Sequence, residues 1–248
     1  MTTQDPIRRL SARVVPRADF DAALLGPLWD LYARYYTPTD RAVFESDFRA
    51  KDWAIVLSDA TGRDVGFSTV AEQVDRLDGQ RVRTLFSGDT IIERSHWGEQ
   101  TLPFRWVELA GAIKARDPGT PLYWLLISKG HRTYRLMPGF TYSHYPNPDG
   151  PTPAPVRRLM DHLGRSRFGA AYDAGAGIVR AGDLPTRLRA DLDGAGAGAA
   201  RNAHIRFFTA RNPGHAKGDE LLCLCELSPE NLRPRARAHF LKGLAGDA

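Results

Sequence analysis

The sequence predicts a mixed α/β (α+β) fold, and three observations carry that reading. Near the start, "DFDAALLGPLWDLYARYY" sets Phe20, Leu24, Leu28, Leu31 and Tyr35 at spacings of three and four, the period of an amphipathic helix. "WAIVLSD" and "VGFSTVAEQV" are two apolar runs parted by the turn-forming "ATGRD", which is a hairpin pattern. "RVRTLFSGDTIIER", a helical stretch and the continuous apolar run "PLYWLLIS" then follow as strand, helix and buried strand, a βαβ unit.

The elements follow in order. The first helix is expected to run through about residue 36, with Asp19 or Asp21 as its cap, and a second from Arg41 to Ala50. The hairpin comes next, and then the long alternating strand, where Gly88 marks a bulge or a close backbone approach. The third helix puts Leu102, Trp106, Leu109, Ala110 and Ile113 on one face and ends near "DPG". After the buried strand, "HRTYRLMPG" reads as a short helix and "FTYSHYP" as a strand.

From Asn147 the texture changes, so the expected division is a core over 1–146 and a C-terminal extension over 147–248. "PNPDGPTPAP" reads as a linker or ordered loop, "VRRLMDHLGRSRF" as a basic amphipathic helix, and "DGAGAGAARN" as a Gly/Ala hinge. "ELLCLCEL" is a strand candidate whose Cys223 and Cys225 share one face as small core residues, and "SPENLRPRARAHFLKGL" closes the chain as a helix opened by Ser228.

Bulk properties narrow the function. With 42% hydrophobic residues the 248-residue chain fills a globular core. No run approaches the roughly 20 apolar residues of a membrane span. "MTTQDPIRRLSARVV" lacks the apolar block of a secretory signal, so a cytoplasmic location is expected. A net charge of +5 favours anionic partners: phosphate-bearing cofactors, acidic carrier proteins or nucleic acid. His96, His131 and His144 do not have metal-ligand spacing, so no metal is expected.

The order helix, helix, hairpin, long strand, polar turn, helix, buried strand, short helix and "GF" strand resembles the GCN5-related N-acyltransferase (GNAT) superfamily over about residues 10–146. The resemblance implies a mostly antiparallel central sheet with helices on both faces. It also implies an acyl-CoA, or an acyl-carrier-protein phosphopantetheine thioester, as cosubstrate. In that family the fourth strand ends in Gln/Arg-x-x-Gly-x-Gly/Ala, whose backbone N–H groups bind pyrophosphate at the next helix N-terminus. Here the turn is "RSHWGEQT", with Trp97 and Glu99 at the two small-residue positions and Gly98 between them. Physics supports a phosphate there independently, because a helix N-terminus offers unpaired donors and partial positive charge. Arg94, Trp97, Gly98, Glu99, Gln100 and Thr101 are therefore the expected cofactor-binding turn, with Thr101 as cap. Ser128 and Lys129, at the end of the fifth strand, would lie beside the pantetheine arm.

Transfer of an acyl group to an amine needs a base for the amine, a polarised carbonyl and a proton for the departing sulfur. Glu93 is the first candidate base and Asp89 the second, since period-two alternation puts them on one face. "TYRLMPGF" resembles the family segment whose Tyr protonates the thiolate, which makes Tyr134 the expected acid. The expected acceptor is a small-molecule amine. The extension and the apolar run from Tyr123 to Ile127 suit acyl chains longer than acetyl, as in the related N-acyl amino acid and acyl-homoserine lactone synthases. Two other readings stay open: a GNAT-like protein that binds its ligand without turnover, and a basic nucleic-acid-binding or scaffold protein. Against the latter, the charges of "RRLMDHLGRSR" are interleaved with apolar residues at helical spacing.

Overall fold

The computed structural model of the protein describes residues 10–182, 187–188 and 202–246. The chain opens with strand β1 (Ser11–Pro16), which sequence reasoning overlooked; its alternation is diluted by Arg13 and only half-buried at the sheet edge. Helix α1 (Ala22–Tyr35) is capped by Asp21, whose carboxylate accepts from Leu24 N at 2.8 Å. A two-residue strand β2 (Tyr36–Thr37) leads to α2 (Arg41–Arg49), capped in the same way by Asp40. These caps satisfy N–H groups that the first helical turn leaves without partners.

Then come β3 (Trp53–Ser58), β4 (Asp64–Leu77), β5 (Gln80–Ile92), α3 (Thr101–Ala115) and β6 (Leu122–Ser128). Two short helices follow, α4 (His131–Tyr134) and α5 (Leu136–Phe140). The expected "FTYSHYP" strand is reduced to isolated bridges, Thr141 to Leu232 and Tyr145 to Leu224. Pro146 supplies no N–H to extend a ladder beyond Tyr145.

In the extension, α6 (Ala154–Phe168) is the basic amphipathic helix, followed by β7 (Tyr172–Asp173), β8 (Ile178–Val179) and β9 (Arg187–Leu188). The Gly/Ala stretch at 193–201 lies outside the described residues. "HIRFFTAR" belongs to helix α7 (Ala203–Arg211), and "ELLCLCE" is strand β10 (Glu220–Glu226). The last helix, α8 (Pro234–Leu244), starts at Pro234 and not at Ser228. Proline has no N–H to donate to the preceding turn, so it suits the first helical position and not the interior.

The main sheet has the order β1-β3-β4-β5-β6-β10-β8-β7, with β5 and β6 parallel and every other neighbouring pair antiparallel. One face packs on α3 and α8 through residues such as Leu85, Trp124, Leu126, Cys223 and Cys225. Both cysteines are buried and free. The opposite face is shared. Ala54, Val56, Phe67 and Ile91 lie under α1 and α2, whereas Ala71, Phe86, Leu125, Leu222 and Leu224 lie under α6. The boundary between those two apolar patches falls on the middle of β5.

Candidate active site

Strands β5 and β6 pair from Arg83–Leu122 to Ser87–Leu126 and then part, although β5 runs on to Ile92 and β6 to Ser128. The cause lies on β5. Its register against β4 jumps from Val70–Ser87 to Ser68–Thr90, so Gly88 and Asp89 together oppose Thr69. An extra residue bends its strand and breaks the ladder locally. Gly88 is required at this point, because a Cβ there would lie 2.3 Å from Thr69 Oγ1 and 2.8 Å from Lys51 Cε. The result is a wedge whose facing strand edges are free of each other.

Charged side chains gather at its mouth. By alternation with Leu125 and Leu222, Lys129 and Glu220 share the face of α1, α2 and α6, and they pair at 3.0 Å. Lys51, 3% exposed, pairs with Asp47 one turn back on α2. Asp89 has no hydrogen bond or ion pair among the described residues. Burial pushes its carboxyl up to about 6, with Asp47 and Glu220 adding to the shift and Lys129 and Lys51 opposing it. The Tyr36 hydroxyl is pushed well above its ordinary value, first by burial and then by Asp89. Lys129 Nζ lies 5.8 Å from the Tyr36 ring centre.

The turn after β5 is a single 3₁₀ turn, Arg94–His96, followed by Trp97 and by Gly98 at φ +96°. Trp97 folds back, its indole N–H donating to Ile92 O at 2.8 Å, and the Arg132 guanidinium sits 4.3 Å from its ring centre. Helix α3 starts at Thr101, so Thr101 is not the cap; Gln100 holds that position and no side chain caps the helix. Gly98, Glu99, Gln100 and Thr101 open onto a cleft of about 620 Å³, walled also by Phe104, Arg105, Arg235 and Lys242. Glu108 at its base already pairs with Arg105 at 2.8 Å and Lys242 at 3.2 Å, and lies within hydrogen-bond distance of His239 Nδ1 at 2.7 Å. The helix end is thus left to an outside anion.

Two expected catalytic residues are occupied elsewhere. Glu93 takes both guanidinium nitrogens of Arg63, at 2.7 and 2.8 Å, and Arg34 at 3.1 Å. The hydrogen bonds from Arg63 hold its carboxyl below the usual carboxylate range, which makes it a poor proton acceptor. Tyr134 is 0% exposed, donates its hydroxyl to Pro146 O at 3.0 Å and packs against Phe207 and Phe208. Its helix phase turns it into the core, where its hydroxyl is held by Pro146 O. Ser128 also points into the buried side, its hydroxyl without a partner among the described residues. Lys51 and Glu220 were missed by sequence reasoning. Alternation with Leu222 and Leu224 was a signal for Glu220; nothing marked Lys51.

A parallel strand pair opened by a bulge lies beside an uncapped helix that connects the two strands, within the mostly antiparallel sheet with helices on both faces that the resemblance implied. No protein-family model and no curated protein sequence matches the chain. Solved structures do. A GNAT family N-acetyltransferase (YhbS) from Escherichia coli in complex with CoA aligns at TM-score 0.42 and 16% identity, covering 56% of this chain and 72% of that one. Arabidopsis thaliana NAA60 in complex with a bisubstrate analogue aligns at TM-score 0.39 and 12% identity over 54% and 86%. Glucosamine-6-phosphate N-acetyltransferase from Arabidopsis thaliana aligns at 0.33 and 16% over 48% and 82%. Among the described residues, no group of three His, Cys, Asp or Glu is placed to hold a metal, and no helix is long and apolar enough to cross a membrane.

Proposed function

We propose that the chain is an N-acyltransferase that moves an acyl group from a CoA thioester directly to an amine. The observation that carries this reading is the wedge between β5 and β6, with a basic carboxylate, Asp89, at its mouth and the uncapped N-terminus of α3 at its side. The thioester lies in the wedge, where a strand N–H polarises its carbonyl. Asp89 takes a proton from the incoming ammonium, the neutral amine nitrogen bonds to the carbonyl carbon, the C–S pair leaves with the sulfur, and the nitrogen gives its second proton to solvent to leave a neutral amide. A thiol of pKa about 8.5 is a good leaving group, so the thiolate departs and takes its proton from solvent.

The donor's phosphates lie on the α3 turn. Arg105, Arg235 and Lys242 beside that turn outnumber Glu99 and Glu108 by one charge, and the helix adds its own partial charge. CoA carries more phosphate than the phosphopantetheine arm of a carrier protein, so this surplus favours CoA over a carrier donor. The apolar run from Tyr123 to Ile127 is taken up in core packing on both sheet faces, which leaves it no role in holding a long acyl chain.

The test is calorimetric titration of CoA into wild type, Gly98→Ala and Gly98→Asp, alongside thiol release from acyl-CoA with a panel of amines. Both variants strain the backbone equally at φ +96°, and neither added Cβ meets an atom within 4 Å. Only Asp brings charge. Gly98→Asp should bind CoA about tenfold more weakly than Gly98→Ala, a difference of ~1.4 kcal/mol. Equal affinities would remove the turn from the site.

A further inference from the structure

Helix α6 carries one residue that its own pattern does not explain. Its buried stripe is Leu159, Met160 and Leu163, and the next position on that stripe, four residues beyond Leu163, is Arg167. Helical phase therefore turns a guanidinium toward the sheet where an apolar side chain is expected. Arg167 lies with its Cζ 3.7 Å from the centre of the Phe86 ring on β5. Its one hydrogen bond goes to Gln73 Oε1 at 3.2 Å, and no carboxylate comes within ion-pair distance among the described residues. A guanidinium has five donors, so most of them are unused.

The nearby acids are spoken for. Asp47 holds Lys51; Asp52 holds Arg17 at 2.8 Å and accepts from Glu72 N at 2.8 Å; Asp75 accepts from Ser166 Oγ at 3.1 Å through Oδ1, which lies 3.6 Å from His162 Nε2. At the wedge mouth, Lys51 with Asp47 and Lys129 with Glu220 are closed pairs. Among the described residues of this face, Asp89 and Arg167 are charges of opposite sign without an ion pair; Asp75 Oδ2 also lacks a hydrogen-bond partner there. Asp47 acts electrostatically on both.

We infer that the acceptor is an amino-acid-like molecule, with a carboxylate a few bonds from its reactive amine, and that Arg167 binds that carboxylate while Asp89 receives the amine. This rests on the acyl-transfer reading and names the substrate class of that site. The spans agree. Three residues of strand separate Phe86, under the guanidinium, from Asp89, at most about 10 Å and less where the Gly88–Asp89 bulge bends the strand. An amine and a carboxylate a few ångströms apart, with a hydrogen bond of about 2.8 Å at each end, cover a similar distance. A planar guanidinium also matches a carboxylate in two parallel hydrogen bonds. Because α6 lies outside the part of the chain that resembles the family, this specificity belongs to the extension.

The experiment measures thiol release from acetyl-, propionyl- and octanoyl-CoA with matched acceptors, each amino acid against its carboxamide, for wild type, Arg167→Gln and Arg167→Lys, with circular dichroism checking that each variant folds. Wild type should favour carboxylates by about 10- to 100-fold in kcat/KM, the scale of a charged hydrogen-bonded contact. Arg167→Gln should bring that ratio near one through KM, and Arg167→Lys should restore part of it. A wild type that prefers carboxamides, or an Arg167→Gln that lowers both classes equally, overturns the proposal while leaving acyl transfer standing. If no donor releases thiol with any amine, acyl transfer itself fails. The anion site is then judged by thermal shift with the same amino acids: a carboxylate-dependent stabilisation lost in Arg167→Gln supports it, and its absence overturns it.

Discussion

Replacing Asp89 by Asn should make the protein more stable and, at the same time, cripple it. The carboxyl of Asp89 is pushed from 3.8 to about 6, chiefly by burial, and no hydrogen bond among the described residues would be lost with it. The native state therefore holds the Asp89 proton more tightly than the unfolded chain does. Below pH 3.8 the group costs nothing. As pH rises toward 6 the unfolded chain ionises it freely and the folded one does not, so stability is lost, and above pH 6 the loss is complete. A shift of about two pH units corresponds to ~3 kcal/mol, which sets a ceiling on what Asn recovers. At ~2–4 °C per kcal/mol for a chain of this size, the variant should melt several degrees higher at pH 8 and close to wild type at pH 4.

The same substitution removes the proposed base, so turnover at pH 8 should fall by about 10²–10⁴. Wild-type kcat/KM should rise with pH up to about 6 and then level, and that inflection should vanish in the variant. The assays are thermal unfolding by circular dichroism across pH 4–8 and thiol release over the same range. A variant that gains no stability at pH 8 relative to pH 4 would show that Asp89 is solvated well enough to ionise without cost. Unchanged turnover would remove it from the chemistry.

Tyr134→Phe should lower stability by ~1 kcal/mol in urea denaturation, because Pro146 O loses its donor, and should leave the turnover number within about twofold; a large fall in turnover would return Tyr134 to the leaving-group step. Glu93→Gln should cost ~0.5–1 kcal/mol at neutral pH, the worth of a partly exposed ion-pair cluster. That cost should disappear as pH falls through the lowered carboxyl value, and turnover should hold; a fall of tenfold or more would make Glu93 the base after all.

What the sequence made legible was local. Asp21 before a run of leucines, the "ATGRD" turn and the strand alternation around Gly88 each act within a few residues, and each appears in the structure as α1, the β3–β4 hairpin and the β5 bulge. Asp89, Lys129 and the α3 turn could be named for the same reason, since position along a strand or at a helix start places them. Partnerships across the fold were not legible. Arg63 and Arg34 reach Glu93 from a hairpin turn and from α1, and nothing within "IIER" records them. Tyr134 is picked out by its place before "GF", but its contacts with Pro146, Phe207 and Phe208 come from residues 12 or more positions away, which the segment itself does not record. Strand β1 was missed because an edge strand with one covered face shows only weak alternation.

The separation of core from extension is a division of sequence texture more than of structure. Strand β10 pairs with β6 along its whole length, from Leu221–Ser128 to Glu226–Tyr123, and thereby covers an edge that would otherwise be exposed in the middle of the sheet. It also carries Glu220, which neutralises Lys129 at the wedge. Helix α6 is fixed in turn by Leu159, Met160 and Leu163 against Leu125, Leu222 and Leu224, and by Gly164, where a Cβ would come within 2.7 Å of the Tyr172 ring. The orientation of Arg167 is therefore set by packing three and four residues before it, with Gln73 and the Phe86 ring as its own contacts. A helix that anchored only the fold would gain by placing Leu there, since burying an unpaired guanidinium is costly. The cation lies over Phe86, three residues before Asp89 on β5, and on the proposed reading that placement makes α6 a wall of the acceptor site and not only a cover on the sheet. An Arg167→Leu variant makes the contrast measurable: it should stabilise the protein while losing the preference for carboxylates, and a destabilised variant with the preference intact would mean that α6 is cover alone.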